Sequence, residues 1–220
     1  MFLCILAYFS SKSCKVDPAP TYIIKDSLEV LLPSMAKIVN ISLAQGIFPA
    51  CWKSSMVIPL IKKPNLKRSL KNYRPVSNLT FISKVTETAA IRQYREHLTD
   101  NNQMPSRNAA YTKSHSTETI LTRVHSDILR NMDKQHLTLL VLLDLSAAFD
   151  TIDIGILNEI YQHKFKVTGS AAEWFNSYLT GRKQYITLDN IKSSEYDLKF
   201  GVPQGSCARP VIFVSYVSSL

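Results

Sequence analysis

One apolar segment, LTLLVLL at residues 137–143, restricts the folds open to this chain more than any other feature. It follows a polar lead-in and ends at Asp144, and its length and composition are those of a strand buried on both faces. Asp150 and Asp153 come soon afterwards, within LLDLSAAFDTID. A carboxylate at the end of a rigid strand suits Mg²⁺, but aspartates also simply end strands. The residues alone leave both interpretations of Asp144 open.

The positive charge is concentrated in one quarter of the sequence. The 220 residues carry a formal net charge of +9, from 26 Lys and Arg against 17 Asp and Glu. Between Val30 and Thr86 there are nine basic residues and no acidic one, so 17 basic residues balance the 17 acidic ones elsewhere. Such a block attracts a polyanion, although a solvated basic face without a partner fits the composition equally well.

Composition predicts a globular protein without a membrane span. Hydrophobic residues make up 45% and charged residues 20% of the chain, and no later apolar run approaches the ~18–20 residues of a membrane helix. The apolar start MFLCILAYF lacks a basic n-region, and a targeting segment there is the alternative. The spacing of the cysteines fits neither a zinc site nor a disulfide framework, so we expect reduced thiols at Cys4, Cys14, Cys51 and Cys207.

Hydrophobic periodicity and turn residues predict an α+β chain with few, dispersed strands. Helices are expected at 21–33, 34–45 (ending at Gly46), 80–98, from a cap at Ser116 or Thr117, and at 154–166, 170–180 and 208–220. Strands are expected at 54–63, with Pro59 at a sheet edge or bulge, at 137–143, and as a pair, 183–188 and 194–200, around Asp189-Asn190. KNYRPVSN (71–78) and GVPQGS (201–206) are predicted as loops, and 99–114 as a polar connection.

Four stretches in a fixed order add a resemblance: LKNYRPVSNLTFISKVTE, HSTETIL, LLDLSAAFDTID and GVPQGS. With them, the chain resembles the reverse transcriptase of non-long-terminal-repeat retrotransposons, in particular the jockey-like group, from about Ser11 to the last residue. The resemblance implies the fingers and partial palm of a right-hand polymerase, with the thumb absent. It divides the chain into an N-terminal lead-in at 1–20, a helical and basic linker/fingers region at 21–135 and a partial palm at 136–220.

The resemblance implies an RNA-directed DNA polymerase that extends a DNA primer on an RNA template by two-metal nucleotidyl transfer, with deoxynucleotide triphosphates as substrates and Mg²⁺ as cofactor. Asp144 matches the catalytic aspartate that binds both ions, and the carbonyl of Leu145 is a further candidate ligand. Phe149 matches the bulky gate that rejects a ribose 2′-hydroxyl. Asp150 and Asp153 have no metal role in the pattern and are expected to cap the turn and the following helix.

The resemblance also assigns nucleotide and template contacts. Arg74 matches the fingers residue that contacts the incoming triphosphate, where a planar guanidinium suits phosphate, with Lys62 or Lys63 assisting. Gln204 and Gly205 match the loop that lies against nucleotide and template. Template and primer phosphates are expected on the basic segment, with strong salt dependence, at Lys53, Lys67, Arg68 and Lys71.

The sequence departs from the family pattern at two places that bear on activity. No tyrosine-x-aspartate-aspartate stretch follows GVPQGS, and Asp197 is the last carboxylate. We therefore expect an incomplete two-ion site and no polymerase activity in the isolated chain. The family usually continues GVPQGS with Val-Leu-Gly-Pro, whereas Cys207, Ala208, Arg209 and Pro210 stand here, which puts a long cation where close packing is expected.

Two other hypotheses remain at this point. The chain could act as a nucleic-acid-binding protein that uses the basic 30–86 region without catalysis. It could also be a remnant of low stability with no selected function, because an unpartnered palm sheet would leave an open apolar edge. A polymerase of this type is expected in the nucleus or cytoplasm, and the sequence sets no oligomeric state.

Overall fold

The computed structural model describes residues 16–104, 109–112, 115–144, 148–188 and 191–218. Its helices, in chain order, are α1 Thr21–Asp26, α2 Leu28–Gln45, α3 Phe81–Asp100, α4 Thr117–Asp133, α5 Ile154–Glu159, α6 Gly169–Leu179 and α7 Arg209–Val217. Its strands are β1 Ser54–Ile61, β2 Tyr73–Asn78, β3 Lys183–Leu188, β4 Ile191–Lys192 and β5 Tyr196–Asp197. The fold is therefore mixed α/β. Three short turns complete it, the 3₁₀ turns Ala50–Trp52 and Leu70–Asn72 and the π turn Ile160–Lys164.

The first two helices meet at a different residue from the one predicted. Pro33 lies inside α2, and the break comes earlier, at Ser27 (φ −95°, ψ 16°). A proline here removes one helical hydrogen bond. Burial of the next turns against α3, including the fully buried Val39, offsets that loss. Gly46 ends α2 in the left-handed region (φ 66°), as predicted.

The remaining predicted helices are confirmed, and two of them begin at the predicted caps. Ser116 forms a capping box with Thr119, in which each side chain accepts the other residue's backbone N–H, at 3.3 Å and 2.9 Å. Asp153 accepts the N–H of Ile156 at 3.0 Å and begins α5. The π turn continues α5 to Lys164, close to the predicted end.

The sheet has the strand order β2-β1-β3-β4, with β5 also paired to β3. β1 pairs antiparallel with β2 over Met56–Ile61 and parallel with β3 over Ser54–Val57. Pro59 lies after the end of the pairing between β1 and β3. Among the described strands, only β2 is beside it, so Pro59 is at a sheet edge at this point, as predicted. It lies opposite Pro75 of β2. Since neither proline can donate, this is a non-hydrogen-bonded pair.

The loop predicted at 71–78 is wrong, because most of it forms β2. Ser77 donates its backbone N–H away from β1, to the carbonyl of Gln204. Backbone groups alternate in direction along a strand, so Pro75 also faces away from β1 and costs no ladder bond. A proline in this position is compatible with a strand, and the turn signal it carries was misleading.

The predicted strand at 137–143 is also wrong. These residues form no strand, and their side chains are exposed, with Leu143 87% exposed. α4, directly before them, buries none of its residues. An apolar run becomes a buried strand only where partner strands and covering helices receive it, and the five described strands pair with one another. Asp144 consequently stands on exposed, irregular chain.

The predicted strand pair of 183–188 and 194–200 is confirmed in part. β3 pairs antiparallel with β4 (Thr187 opposite Lys192) and with β5 (Lys183 opposite Asp197). Only two residues of the predicted 194–200 strand are paired, and the turn at 189–190 lies outside the described residues.

The main core lies between α3, α5, α6 and α7 and contains residues from both sides of position 136. On one side of this core, the Phe48 ring packs against three other rings. Its centroid lies 5.0–5.7 Å from the centroids of Trp52, Trp174 and Tyr178. Edge-to-face packing of this kind adds to the area that the rings bury. The division into a lead-in, a fingers region and a partial palm stays a prediction.

Two further sequence predictions concern a membrane span and the state of the cysteines. Within the described ranges, no helix is long and apolar enough to cross a bilayer. Cys51 and Cys207 are free thiols. Cys4, Cys14 and the apolar start lie outside the described residues.

Candidate functional site

The predicted GVPQGS loop, residues 201–206, lies between β2 and the turn at 148–152. Gln204 accepts the Ser77 N–H at 2.7 Å on one side. On the other, Val202 donates to the carbonyl of Phe149 at 3.3 Å. The structure therefore brings Phe149 and Gln204, both predicted from the sequence, to one loop.

Two glycines permit these close contacts. Gly205 has φ 125°, and a Cβ on it would lie 2.5 Å from the Ser77 carbonyl oxygen. Gly201 has φ 75°, and a Cβ there would lie 2.7 Å from both Asp150 Cα and the Phe149 oxygen. No L side chain fits either approach, so glycine is needed for protein packing here. The close approach predicted for Gly205 is thus made to β2.

Glu87 of α3 holds the far end of the loop, a role that no motif in the sequence indicates. It is fully buried, and its Oε2 accepts from the Ser206 hydroxyl and the Cys207 N–H, both at 3.0 Å. The Tyr178 hydroxyl lies 2.7 Å from the same Ser206 oxygen. Burial raises the pKa of Glu87, against the opposing effects of Arg182 and these hydrogen bonds. The sequence feature that could have indicated this buried carboxyl group is an acidic residue on the apolar face of a predicted helix.

Arg182 is a second buried charged residue that no sequence motif indicates. It is 1% exposed, donates to the Tyr178 carbonyl at 2.9 Å, and places its guanidinium 4.7 Å from the Tyr178 ring centroid and 5.4 Å from that of Phe48. Cation–π contacts of this kind compensate in part for lost hydration. Burial lowers the pKa of nearby Lys53, and the Arg182 charge lowers it further.

Arg209, at the start of α7, contacts Phe149 and Asp150 of the turn at 148–152. Its Nη2 lies 2.6 Å from Asp150 Oδ1, and its guanidinium carbon lies 4.6 Å from the Phe149 ring centroid. Burial lowers the pKa of Arg209, and the Asp150 carboxylate opposes this. The arginine that replaces the family's glycine is thus accommodated by an ion pair and a stacked ring. Asp150, expected as a cap, is instead the partner of Arg209.

A cavity of about 270 Å³ opens between the sheet and the loop. Its walls come from β1, β2 and β3, from the 196–200 segment, and from Asp150, Pro203 and Gln204. Phe149 does not line it among the described residues, because its ring packs on α7, 4.6 Å from Phe213, and faces Tyr111 at 6.4 Å. The cavity offers carboxylate, amide and tyrosine groups beside the predicted loop.

β1, β2 and their connection at 62–72 form a basic hairpin. Its cationic side chains are exposed and enter none of the ion pairs formed within the described ranges: Lys62, Lys63, Lys67, Arg68, Lys71 and Arg74. Lys62 Nζ donates to the Lys71 carbonyl at 2.7 Å, which holds the base of the connection together. Lys53 lies at the opposite end of β1, about 30 Å away along the strand. Five of the predicted phosphate-contacting residues therefore lie in the same hairpin as Arg74. Lys53 lies apart from them, at the other end of β1.

The described residues do not assemble a site for Mg²⁺. Asp144 is exposed, and Leu145 lies outside the described residues. Among the residues that are described, no group of three or more His, Cys, Asp or Glu side chains could hold a metal ion. The magnesium prediction therefore rests on the resemblance alone.

Residues 61–220 match the family described as reverse transcriptase (RNA-dependent DNA polymerase), and the chain belongs to this family. Among curated relatives in Drosophila melanogaster, it is similar to the "RNA-directed DNA polymerase from mobile element jockey", with 27% identity over 86% of this chain and 20% of the relative. The "Probable RNA-directed DNA polymerase from transposon BS" is 26% identical over 84% of this chain and 20% of its own length. The "Probable RNA-directed DNA polymerase from transposon X-element" is 30% identical over 77% and 18%.

These similarities confirm the predicted resemblance to jockey-like retrotransposon polymerases. The chain spans about a fifth of the length of the curated relatives it matches.

Proposed function

We propose that this chain forms the fingers and the first part of the palm of an RNA-directed DNA polymerase that extends a DNA primer on an RNA template. The observation that carries the proposal is the contact between Ser77 and Gln204, at 2.7 Å. It joins the backbone of β2, in the basic hairpin, to the GVPQGS loop, and Ser77 and Gln204 both line the cavity. The lead-in, fingers and partial palm then correspond to 1–20, 21–135 and 136–220.

The basic hairpin is the proposed binding surface for template and primer. Its cations are exposed and close together in sequence, and the whole segment from 30 to 86 contains no carboxylate to neutralise them. Lys67, Arg68 and Lys71 lie in the connection between the strands and can reach a backbone that passes across the sheet. Binding by phosphate neutralisation releases counterions and weakens steeply with salt. Lys53, at the far end of β1, would contact a different part of the nucleic acid.

The cavity beside the loop is the proposed site for the incoming deoxynucleotide triphosphate. Arg74, with Lys62 or Lys63, is the proposed phosphate contact, since a guanidinium matches phosphate geometry. None of the three lines the cavity, so the phosphates would have to extend past its rim toward the hairpin. Gln204 lines the cavity, and Gly205 is the next residue in the loop. The resemblance gives Phe149 the role of a wall against a ribose 2′-hydroxyl, and the ring can fill that role only by turning from α7 toward the cavity.

We further propose that these 220 residues do not catalyse extension by themselves. Reverse transcriptases typically use divalent metals, and Asp144, with the Leu145 carbonyl, is the proposed ligand. Among the described residues, Asp144 belongs to no group of three or more His, Cys, Asp or Glu side chains that could hold a metal ion. Purified protein, primed RNA template, Mg²⁺ and deoxynucleotides should give no template-dependent extension beyond that of an Asp144→Ala variant. Extension above that control would contradict the proposal.

A salt series tests the nucleic-acid surface. Filter binding of a primed RNA template between about 50 and 200 mM salt should show affinity falling steeply. Replacing Lys67, Arg68 and Lys71 by Gln should weaken binding and reduce the slope of log affinity against log salt by roughly two to three.

The matched control removes the same charge from α4 and its end, by Gln at Arg123, Arg130 and Lys134. It should leave affinity and slope nearly unchanged. Equal losses in both triple variants would mean that net charge alone drives binding, and a flat salt response would remove the nucleic-acid assignment.

The exposed hairpin also supports a second candidate, a nucleic-acid-binding protein without catalysis that uses the 30–86 region. It shares the salt dependence but needs no nucleotide site. Nucleotide binding at the cavity, measured by equilibrium dialysis with dATP, separates the two. Binding that Gln204→Ala weakens supports the polymerase assignment, and its absence supports the second candidate.

A further inference from the structure

The ring of Phe149 is held on the side of the turn away from the cavity. Its neighbours are the Arg209 guanidinium, at 4.6 Å, and the rings of Phe213 and Tyr111, at 4.6 Å and 6.4 Å. Asp150, the next residue, lines the cavity instead. One turn therefore places Asp150 beside the cavity and the Phe149 ring on α7.

Arg209 fixes this arrangement more firmly than the other neighbours do. Its side chain is only 12% exposed and binds the turn twice, by the 2.6 Å ion pair to Asp150 and by stacking on Phe149. Gly201 and Val202 hold the backbone of the turn but leave the ring free to rotate. Phe213 offers apolar contact without a directional bond. Loss of Arg209 would leave Asp150 without its ion-pair partner. It would also remove the guanidinium that stacks on the Phe149 ring.

We propose that Arg209 holds the Phe149 ring against α7 and so prevents it from separating deoxyribonucleotides from ribonucleotides. A wall excludes a 2′-hydroxyl only if it faces the sugar, and here the ring faces an arginine. The inference rests on the proposed nucleotide site. Arg209 is a positioning residue in this scheme, because it acts through Phe149.

The experiment compares affinities for dATP and ATP in Mg²⁺ buffer, measured by equilibrium dialysis. The unaltered protein should bind the two nucleotides with equal affinity. Arg209→Ala should acquire a preference for dATP of about tenfold, the lower range for a pocket wall against one added group. The preference should disappear again in the Arg209→Ala, Phe149→Ala double variant. Arg209→Lys, which keeps the charge for Asp150, should give a smaller preference.

A control removes an arginine elsewhere: Arg92→Ala breaks an exposed pair with Glu96 on α3 and should leave the ratio at one. A dATP preference already present in the unaltered protein and lost in Phe149→Ala would overturn the inference. So would an Arg209→Ala variant that still binds both nucleotides equally.

A second measurement keeps this inference separate from the proposed function. With 4-fluorophenylalanine at position 149, the fluorine resonance should be displaced by the neighbouring rings and should move toward the free amino acid's value in Arg209→Ala. If no nucleotide binds, the proposed site and the sugar inference both fall, while a shifted resonance still establishes the clamp. A resonance that Arg209→Ala does not move shows that Arg209 does not hold the ring.

Discussion

Ser77 and Gly205 approach so closely that a methyl group on Gly205 would lie 2.5 Å from the Ser77 carbonyl oxygen. The neighbouring residue Gln204 accepts the Ser77 N–H at 2.7 Å. β2 and the GVPQGS loop are therefore in backbone contact, with no side chain between them. This contact joins the proposed phosphate-binding hairpin directly to the proposed nucleotide loop.

Gly205→Ala should break that contact. The added Cβ meets backbone, which cannot swing away, and φ 125° is unsuited to an L side chain. We expect a loss of about 3 kcal/mol in the free energy of unfolding, measured by urea titration. Gly181→Ala is the control, since Gly181 also has a positive φ (64°) but nothing within 4 Å of the added atom. It should cost about 1 kcal/mol. Equal losses would show that only backbone conformation matters.

Leu143→Ala and Leu157→Ala decide between the sequence-based and the structural descriptions of 137–143. Leu143 is 87% exposed and Leu157 fully buried. Leu143→Ala should therefore change the free energy of unfolding by less than about 0.5 kcal/mol, and Leu157→Ala should lower it by about 3 kcal/mol. Both are read from urea titrations. A large loss in Leu143→Ala would restore the buried strand that the sequence predicts.

The features that the sequence predicts well are those that depend on nearby residues. Ser116 and Asp153 cap helices through side-chain bonds to residues three positions away, and such bonds need no tertiary partner. The same holds for Gly46, whose left-handed conformation ends α2. Strands depend on distant partners, so Pro75 was misread as a loop residue and 137–143 as a strand.

The site shows the same division. The motifs identified Phe149 and Gln204 because their residue types and order are visible in the sequence. They could not reveal that Glu87 and Arg182 are buried, because burial depends on α3, α6 and α7 meeting. Arg209 was visible as a departure from the family, but its pairing with Asp150 requires a contact between distant parts of the chain.

Stability should depend on pH through Glu87. Burial raises its pKa in the folded protein above 4.5, its value without burial. The folded state then holds its proton more tightly, so the stabilisation is complete below pH 4.5 and is lost as pH rises through the folded pKa. Glu87→Gln should remove this dependence. We expect the difference in free energy of unfolding between the two proteins to favour the variant increasingly above pH 4.5, by at most about 1.4 kcal/mol per pH unit.

Urea titrations from acidic to neutral pH measure that difference. Glu96→Gln is the control, since Glu96 lies on the exposed face of the same helix, and it should follow the unaltered protein. A difference that stays constant with pH would mean that Glu87 has the same proton affinity in the folded and unfolded chain.

Arg182 and Glu87 should depend on each other. The Arg182 charge lowers the pKa of Glu87, against the larger effect of burial. Arg182→Met removes that support and leaves a buried carboxylate alone, so we expect a loss of about 3 kcal/mol at neutral pH. Adding Glu87→Gln removes the stranded charge and should recover part of the loss. A double-mutant cycle on free energies of unfolding measures this coupling. Strictly additive effects would mean that the two buried charges do not interact, and that Glu87 is held by Ser206 and Cys207 alone.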